Sequence, residues 1–266
     1  MAVKPYYQDK YRTIYLGDCN EVLPNIDTKV DLVLADPPYG TTACQWDDII
    51  PFNLMWQQLL RLTDDNTPIV FSASQPFTSA LVMSNPSMFR HGWIYKKKCA
   101  SNFAQAKYAP MKEHEDILVF GKKKVSYYPQ KEDRHGSGKE RSKYKYSDRS
   151  RHACGEFVGS INGEYDKDND AGNNDDRYPS SVQEFNNRAT GDRGLHPTQK
   201  PVELFKYLIK TYSLEGDIVL DFAMGSGTTL VAAMSLKRYS IGIEVNEKYC
   251  EIAAKRYSQE SMELIA

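Results

Sequence analysis

Val30-Asp31-Leu32-Val33-Leu34-Ala35 runs directly into Asp36-Pro37-Pro38-Tyr39. Apart from Asp31 the first six residues are apolar without alternation, the pattern of a strand buried on both faces. The strand therefore ends on a carboxylate, followed by two prolines that lack N–H groups and by an aromatic ring. In an open α/β sheet, ligands bind beyond the carboxyl ends of the strands. A carboxylate beside a backbone carbonyl accepts two hydrogens from one exocyclic amino group, and an adjacent tyrosine offers a stacking face. Such a set suits activation of an aromatic NH2. The plainer alternative is a turn that ends a strand and holds two prolines.

A second segment has the same design. Ile218-Val219-Leu220-Asp221 is a short apolar run ending in an acid, and Phe222-Ala223-Met224-Gly225-Ser226-Gly227-Thr228-Thr229 follows it. Glycines let a backbone approach a ligand closely, and the start of the next helix favours anionic groups. The third glycine of the dinucleotide fingerprint is missing, so a dinucleotide site is not expected. Ile241-Gly242-Ile243-Glu244 is a further strand ending in an acid, about twenty residues beyond the glycine turn, where an acid binds ribose hydroxyls. An ordinary βαβ unit without a ligand is the competing reading.

Outward from these segments the chain alternates. Strands are expected at Thr13 to Leu16, Pro68 to Phe71, Trp93 to Lys96 and Ile117 to Phe120. Helical spacing links Leu54, Met55, Trp56, Leu59 and Leu62, then Phe77 to Met83, then Val202, Phe205, Leu208, Ile209 and Tyr212. A last helix carries Tyr249, Ile252, Ala253 and Arg256. This alternation predicts a doubly wound α/β sheet. If the strands ending at Asp36 and Asp221 are neighbours, both acids open into one crevice at the switch point of the sheet.

Alternation stops between Gly121 and Gly194. Residues 121–152 carry eleven Lys or Arg against four Asp or Glu, with Tyr127, Tyr128, Tyr144 and Tyr146 among them. Residues 153–194 reverse the balance, four against nine. The stretch reads either as a solvated insertion or as one that meets nucleic acid phosphates, with Lys122, Lys123 and Lys124 at its head. The expected division is residues 1–120, an insertion at 121–194, and 195–266.

Together these motifs resemble the S-adenosylmethionine-dependent amino-methyltransferases of DNA, most closely the permuted class in which Asp-Pro-Pro-Tyr precedes the glycine turn. The resemblance rests on Gly17-Asp18 through Gly40, Asn102 through Phe120, and His196-Pro197-Thr198-Gln199-Lys200-Pro201 through Tyr257. It implies a circularly permuted Rossmann-like methyltransferase sheet with an inserted target-recognition region. Asp36, Pro37, Pro38 and Tyr39 would form the catalytic motif. S-adenosylmethionine would lie on Asp18, Asp221, Phe222, Gly225, Ser226, Gly227, Thr228 and Glu244. Asp18 would take the cofactor adenine's amino group and Lys200 the methionine carboxylate. The family commonly has Asp-Pro-Phe before the glycines, whereas here Asp221-Phe222-Ala223 puts the aromatic one position early.

The partner implied is double-stranded DNA, with the target base turned out of the stack. Tyr39 is the expected stacking platform; Trp46, Asn102 and Phe103 are candidates for the opposite face or a closing loop, or else for packing. Asp36 favours adenine N6 over cytosine N4, since the cytosine enzymes tend to have serine there. A silent DNA-binding module, an RNA substrate and a protein glutamine substrate are the other readings. Attack at cytosine C5 would need a nucleophilic cysteine, usually after proline, and none of the five cysteines follows proline. Their odd number and lack of C-x-x-C spacing fit a reduced cytoplasmic compartment. His152 and Cys154 lack a second ligand pair, so no metal is expected. His114-Glu115-Asp116 opens a strand and reads as structural. A net charge of −1 means that any DNA-facing surface is local. No segment has transmembrane length. Dimers are common in the permuted class, and a chain carrying methylation alone is compatible with a separate restriction partner.

Overall fold

The computed structural model describes residues 3–41, 47–133, 176–187 and 199–265, with side chains as far as Arg256. Its centre is β3 (Leu32–Ala35), whose unbroken apolar run is explained by burial on both sides. Val33 and Ala35 pack with Trp56, Phe71 and Phe222 on one face. Leu32 and Leu34 pack with Phe205, Leu208 and Tyr212 on the other.

Around β3 lie β1 (Tyr7–Gln8), β2 (Arg12–Leu16), β4 (Ile69–Ala73), β5 (Phe89–Ser101), β6 (Lys112–Phe120), β9 (Val182–Phe185), β10 (Ile218–Asp221) and β11 (Tyr239–Glu244). They form one sheet in the order β1-β2-β11-β10-β3-β4-β6-β5-β9. From β2 to β4 the strands run parallel. β10 pairs with β3 through Val219 opposite Leu32 and Leu220 opposite Val33, so the two acid-ending strands are neighbours.

The helices are α1 (Cys19–Val22), α2 (Phe52–Leu62), α3 (Phe77–Ser84), α4 (Val202–Tyr212), α5 (Thr228–Ser235) and α6 (Glu247–Ile265). In α2, Met55, Trp56, Leu59 and Leu62 are buried, while Leu54, expected in the same stripe, is exposed. Lys122 closes the end of α2, donating to the carbonyls of Leu60 and Thr63 at 2.8 and 2.6 Å. A cation on the last carbonyls of a helix also complements its dipole.

The far flank of the sheet departs from the parallel pattern. β6 is antiparallel to both β4 and β5. Both strands are longer than their apolar cores at Trp93 to Lys96 and Ile117 to Phe120. The extensions, Lys97–Ser101 and Lys112–Asp116, are polar and carry no burial signal; pairing within the hairpin sustains them. β4 ends with Ala73 opposite Asp116, so the hairpin continues beyond the carboxyl edge of its neighbour.

Two compact units result, Met1–Tyr128 with Ser180–Ala266, and Pro129–Pro179. In the second, β7 (Glu132–Asp133) pairs antiparallel with β8 (Asp176–Arg177), and Arg177 bridges Glu132 at 2.9 Å. No helix among the described residues is long and apolar enough to cross a membrane.

Gly242 shows how tightly β11 is covered. A Cβ there would lie 2.3 Å from Met224 Sδ and 3.0 Å from both methyls of Leu230. Overpacking of this kind costs about 1–3 kcal/mol. Gly242→Val should lower the thermal midpoint of the isolated protein by several degrees, and a melt equal to the wild type would show that the glycine turn has room to move.

Candidate active site

Parallel pairing puts four strand ends on one edge: β2 leads to Asp18, β11 ends at Glu244, β10 at Asp221 and β3 runs into Asp36. All four acids line one cavity of about 430 Å³, together with Tyr39 and Gly225. Neighbouring ends are tied directly, since Gly17 N–H donates to the Glu244 carbonyl at 3.0 Å.

On the glycine side the acids differ in what they have left to offer. Asp221 is buried and accepts from Thr229 Oγ and from Ala223 N–H at 3.0 Å, so both oxygens hold the turn. Glu244 accepts from Gly225 N–H at 3.0 Å and Asn246 N–H at 2.8 Å, one bond to each oxygen. Each oxygen keeps a lone pair for a hydroxyl. Asp18 accepts from the backbone N–H of Asn20 and is exposed. Gly225 and Gly227 both have left-handed φ, 51° and 81°. At Gly227 the missing side chain serves packing: a Cβ would lie 2.7 Å from Ala253 Cβ on α6. Ser226 is buried, and its carbonyl accepts from Arg256 at 2.9 Å. Phe222 lines the cavity but is buried in the core, edge-on to Phe71 at 6.0 Å.

On the other side, Asp36 is the hub. Its Oδ1 accepts from Ser72 Oγ, from Tyr39 OH at 2.6 Å and from Lys200 Nζ at 2.8 Å; Lys200 also reaches Oδ2 at 2.7 Å. Lys200, expected at the methionine carboxylate, thus has other partners in this structure, Asp36 and Glu115 (3.1 Å). Burial works against its charge, but Asp36, Tyr39 and Glu115 together hold the ammonium well above the usual lysine range. Tyr39 has Phe77 stacked on its ring at 5.2 Å, so part of the expected stacking face is already covered. Burial, then the Asp36 charge, push its phenol upward.

Asp47 and Ser72, which the sequence did not single out, and Glu115, which it read as structural, complete the site. Asp47 accepts from the backbone N–H groups of Tyr39, Gly40 and Thr41 at 2.8, 3.0 and 2.8 Å, which fixes the loop after the prolines. Ser72 comes from β4, a strand that does not run into an acid. Glu115, read as structural, bridges Lys97 at 2.6 Å and Lys200 at 3.1 Å. Nothing local marks Asp47 or Ser72; Glu115 stood out only as an acid at the start of an apolar strand.

The expected substrate contacts fall in different places. Asn102 and Phe103 lie at the tip of the β5–β6 hairpin, where Phe103 is 82 % and Tyr108 90 % exposed. Lys122 and Lys123 do not face the crevice: they follow β6, whose end at Phe120 pairs with Ile69 at the opposite edge of the sheet. Their ammonium groups belong to α2 and to Asp65 (2.6 Å). Lys124 is exposed beside them. All three lysines also precede the second unit. Trp46, Tyr144, Tyr146, His152, Cys154 and His196 to Thr198 lie outside the described residues.

The chain is similar to known DNA methyltransferases. A family model described as DNA methylase matches residues 30–255. The Type II methyltransferase M1.MboII of Moraxella bovis is 29% identical over 255 residues, 89% of this chain and 92% of that protein. M.HpaI of Haemophilus parainfluenzae is 29% identical over 256 residues, 90% and 72% of the respective chains. In fold, the M1.HpyAVI–SAM complex superposes with a TM-score of 0.63 at 22% identity, covering 92% of this chain and 98% of that one. The PvuII cytosine-N4-specific DNA methyltransferase gives 0.61 at 14% identity, covering 96% and 89%.

Asp221 generates a pH prediction. Burial lifts its carboxyl to about 7; the bonds from Thr229 and Ala223 oppose the rise, and Asp36 and Glu244 add to it. An unfolded aspartate ionises near 4, so between about 4 and 7 the folded state keeps a proton that the unfolded state has released. The contribution is therefore complete below pH 4 and is lost as pH rises through 7. Asp221→Asn, which cannot ionise, should gain thermal stability relative to wild type between pH 5 and 8. A constant difference in melting temperature across that range would contradict the assignment.

Proposed function

The chain belongs to the DNA methylase family, and on that premise we propose that it methylates N6 of an adenine turned out of double-stranded DNA, with S-adenosylmethionine as donor. The observation that carries this reading is Asp36. Three donors fill its Oδ1, while Oδ2 has one bond and keeps a lone pair. Beside it is the Pro37 carbonyl, and both open into the cavity that also holds Asp18 and Glu244.

The cavity suits the cofactor. Its volume is in the usual range for small-molecule sites. Glu244 has lone pairs for ribose hydroxyls, Asp18 can accept from an adenine amino group, and the turn from Gly225 to Thr228 brings backbone close. Asp221 and Phe222 support that turn from beneath. When bound, S-adenosylmethionine supplies a methyl group already activated on a sulfonium sulfur. The protein's share is then position and polarity. Asp36 and the Pro37 carbonyl accept the two amino hydrogens, which favours a pyramidal nitrogen whose lone pair points at the methyl carbon. As the nitrogen took the methyl group and the sulfonium gave it up as a neutral thioether, the positive charge would pass to the nitrogen, where Asp36 would stabilise it until a proton left. Tyr39 and Ser72 hold the carboxylate in place, Asp47 holds the loop, and the ring of Tyr39 borders the base.

Adenine is favoured over cytosine by Asp36 at the first motif position; the shared fold does not discriminate, since a cytosine-N4-specific enzyme has it too. The hairpin tip supports a duplex partner. From Lys98 to Lys112 it contains three lysines and no acid, with Phe103 and Tyr108 exposed, and it overhangs the edge where the crevice opens. Lysines contact phosphates, and exposed rings can wedge between or replace bases. Phe103, Tyr108 and Asn102 would meet the DNA beside the extruded base. The Type II relatives support a role alongside a restriction enzyme in the cytoplasm.

Two measurements test the reading. Glu244→Ala should weaken S-adenosylmethionine binding by roughly 10- to 100-fold in calorimetry, about 1–3 kcal/mol for a lost charged hydrogen bond; unchanged affinity would remove the cofactor assignment. Wild-type protein should leave N6-methyladenine in digested plasmid DNA, and Asp36→Ala should leave none while still binding DNA. Mass spectrometry that found N4-methylcytosine instead would transfer the activity to cytosine.

A further inference from the structure

Lys97, Glu115, Lys200 and Asp36 form a chain of alternating charge running from the hairpin to the catalytic carboxylate. Lys97 Nζ meets Glu115 Oε1 at 2.6 Å, Glu115 Oε2 meets Lys200 Nζ at 3.1 Å, and Lys200 reaches both oxygens of Asp36. All four side chains are largely withdrawn from water, at 10, 13, 8 and 21% exposure in that order. Glu115 Oε2 is buried, and its contact with Lys200 at 3.1 Å is an ion pair. Such a charge is costly to bury unless it compensates another.

From this chain we infer that Glu115 is a positioning residue for methyl transfer: its negative charge offsets Lys200, so that a cation can develop on the target nitrogen beside Asp36. The inference rests on the reading of Asp36 as the acceptor of that amino group. During transfer the nitrogen gains positive charge as carbon leaves sulfur, and it keeps that charge until its proton departs. Lys200 already holds a full positive charge on the same carboxylate. Left alone, it repels the charge arriving on nitrogen; the repulsion between buried like charges is large. With Glu115 in place, the four-residue chain sums to zero. Lys97 holds Glu115 in turn, and also donates to Ser101 Oγ at 3.2 Å.

The chain makes a test by charge arithmetic. Glu115→Gln leaves Lys97 and Lys200 against Asp36, a net charge of +1. The double variant Lys97→Met with Glu115→Gln returns the sum to zero without restoring the carboxylate. Single-turnover methylation of unmethylated plasmid DNA with labelled S-adenosylmethionine should slow at least tenfold in Glu115→Gln. The Michaelis constant for DNA and the cofactor affinity should stay within about threefold. The double variant should recover part of the lost rate, since one of the two uncompensated cations is gone, and Glu115→Asp, which keeps the charge, should remain within about threefold of wild type.

Equal rates in Glu115→Gln and wild type would overturn the inference. So would a double variant no faster than Glu115→Gln, because a packing role cannot be repaired by removing a second side chain. Should Glu115→Gln fail to fold, Glu115→Asp carries the test against wild type, and a tenfold loss in it rejects the charge role. Failure of the functional reading is separate: it would appear as absence of methylated amino groups with the wild-type protein.

Discussion

Hydrogen bonding between β10 and β3 is the constraint on which the site depends. The pairing of Val219 with Leu32 and Leu220 with Val33 brings Asp221 and Asp36 to one edge from distant parts of the chain. Neither half could build the cavity alone. The glycine turn supplies acceptors for a small polar ligand, while the proline motif supplies acceptors for an amino group. Burial of β3 on both faces fixes the register, since a slip by one residue would exchange the two hydrophobic layers.

That edge of the sheet concentrates charge in a poorly hydrated place, and the structure answers with internal partners. Asp221 uses both oxygens on its own turn, and burial lifts its carboxyl to about 7. Asp36 is instead surrounded by donors, with Lys200 as counterion. Glu115 goes the opposite way to Asp221: burial would raise its carboxyl, but Lys200 and Lys97 outweigh that and hold it below the usual range. Two acids with similar burial thus have different tasks. One stiffens the turn, and the other takes part in a line of charge that reaches the reacting group.

Much of this was legible in the sequence because it depends on local pattern. An apolar run ending in an acid marks a buried strand and its functional end, and this identified Asp36, Asp221 and Glu244. The spacing Val202 to Tyr212 identified α4 to the residue. What stayed hidden depends on tertiary pairing. Asp47 acts on N–H groups six to eight residues earlier, and no motif announces a carboxylate that folds back on a loop. Lys122 looks like the head of a basic tract, yet it caps α2 from some sixty residues away. Gly227 looked like a ligand-facing glycine, and its missing Cβ makes room for Ala253. In each case the residue type was informative and the partner was not.

The arrangement also separates the residues that hold the strand-end acids from an exposed surface on the same sheet. Residues that hold the reacting groups sit at strand ends or are clasped by buried partners, as Tyr39 to Thr41 are by Asp47. The hairpin of β5 and β6 is different: its inner part carries Lys97 and Glu115 into the site, and its outer part, from Asn102 to His114, is exposed throughout. A substitution at the tip changes an exposed surface of the described fold, so it leaves the partners of the carboxylate in place. A substitution further in, at Lys97 or Glu115, alters the charge chain that reaches Asp36. The same ladder of hydrogen bonds therefore joins an exposed tip, from Asn102 to His114, to the half-buried charges of Lys97 and Glu115 that lie just inside it.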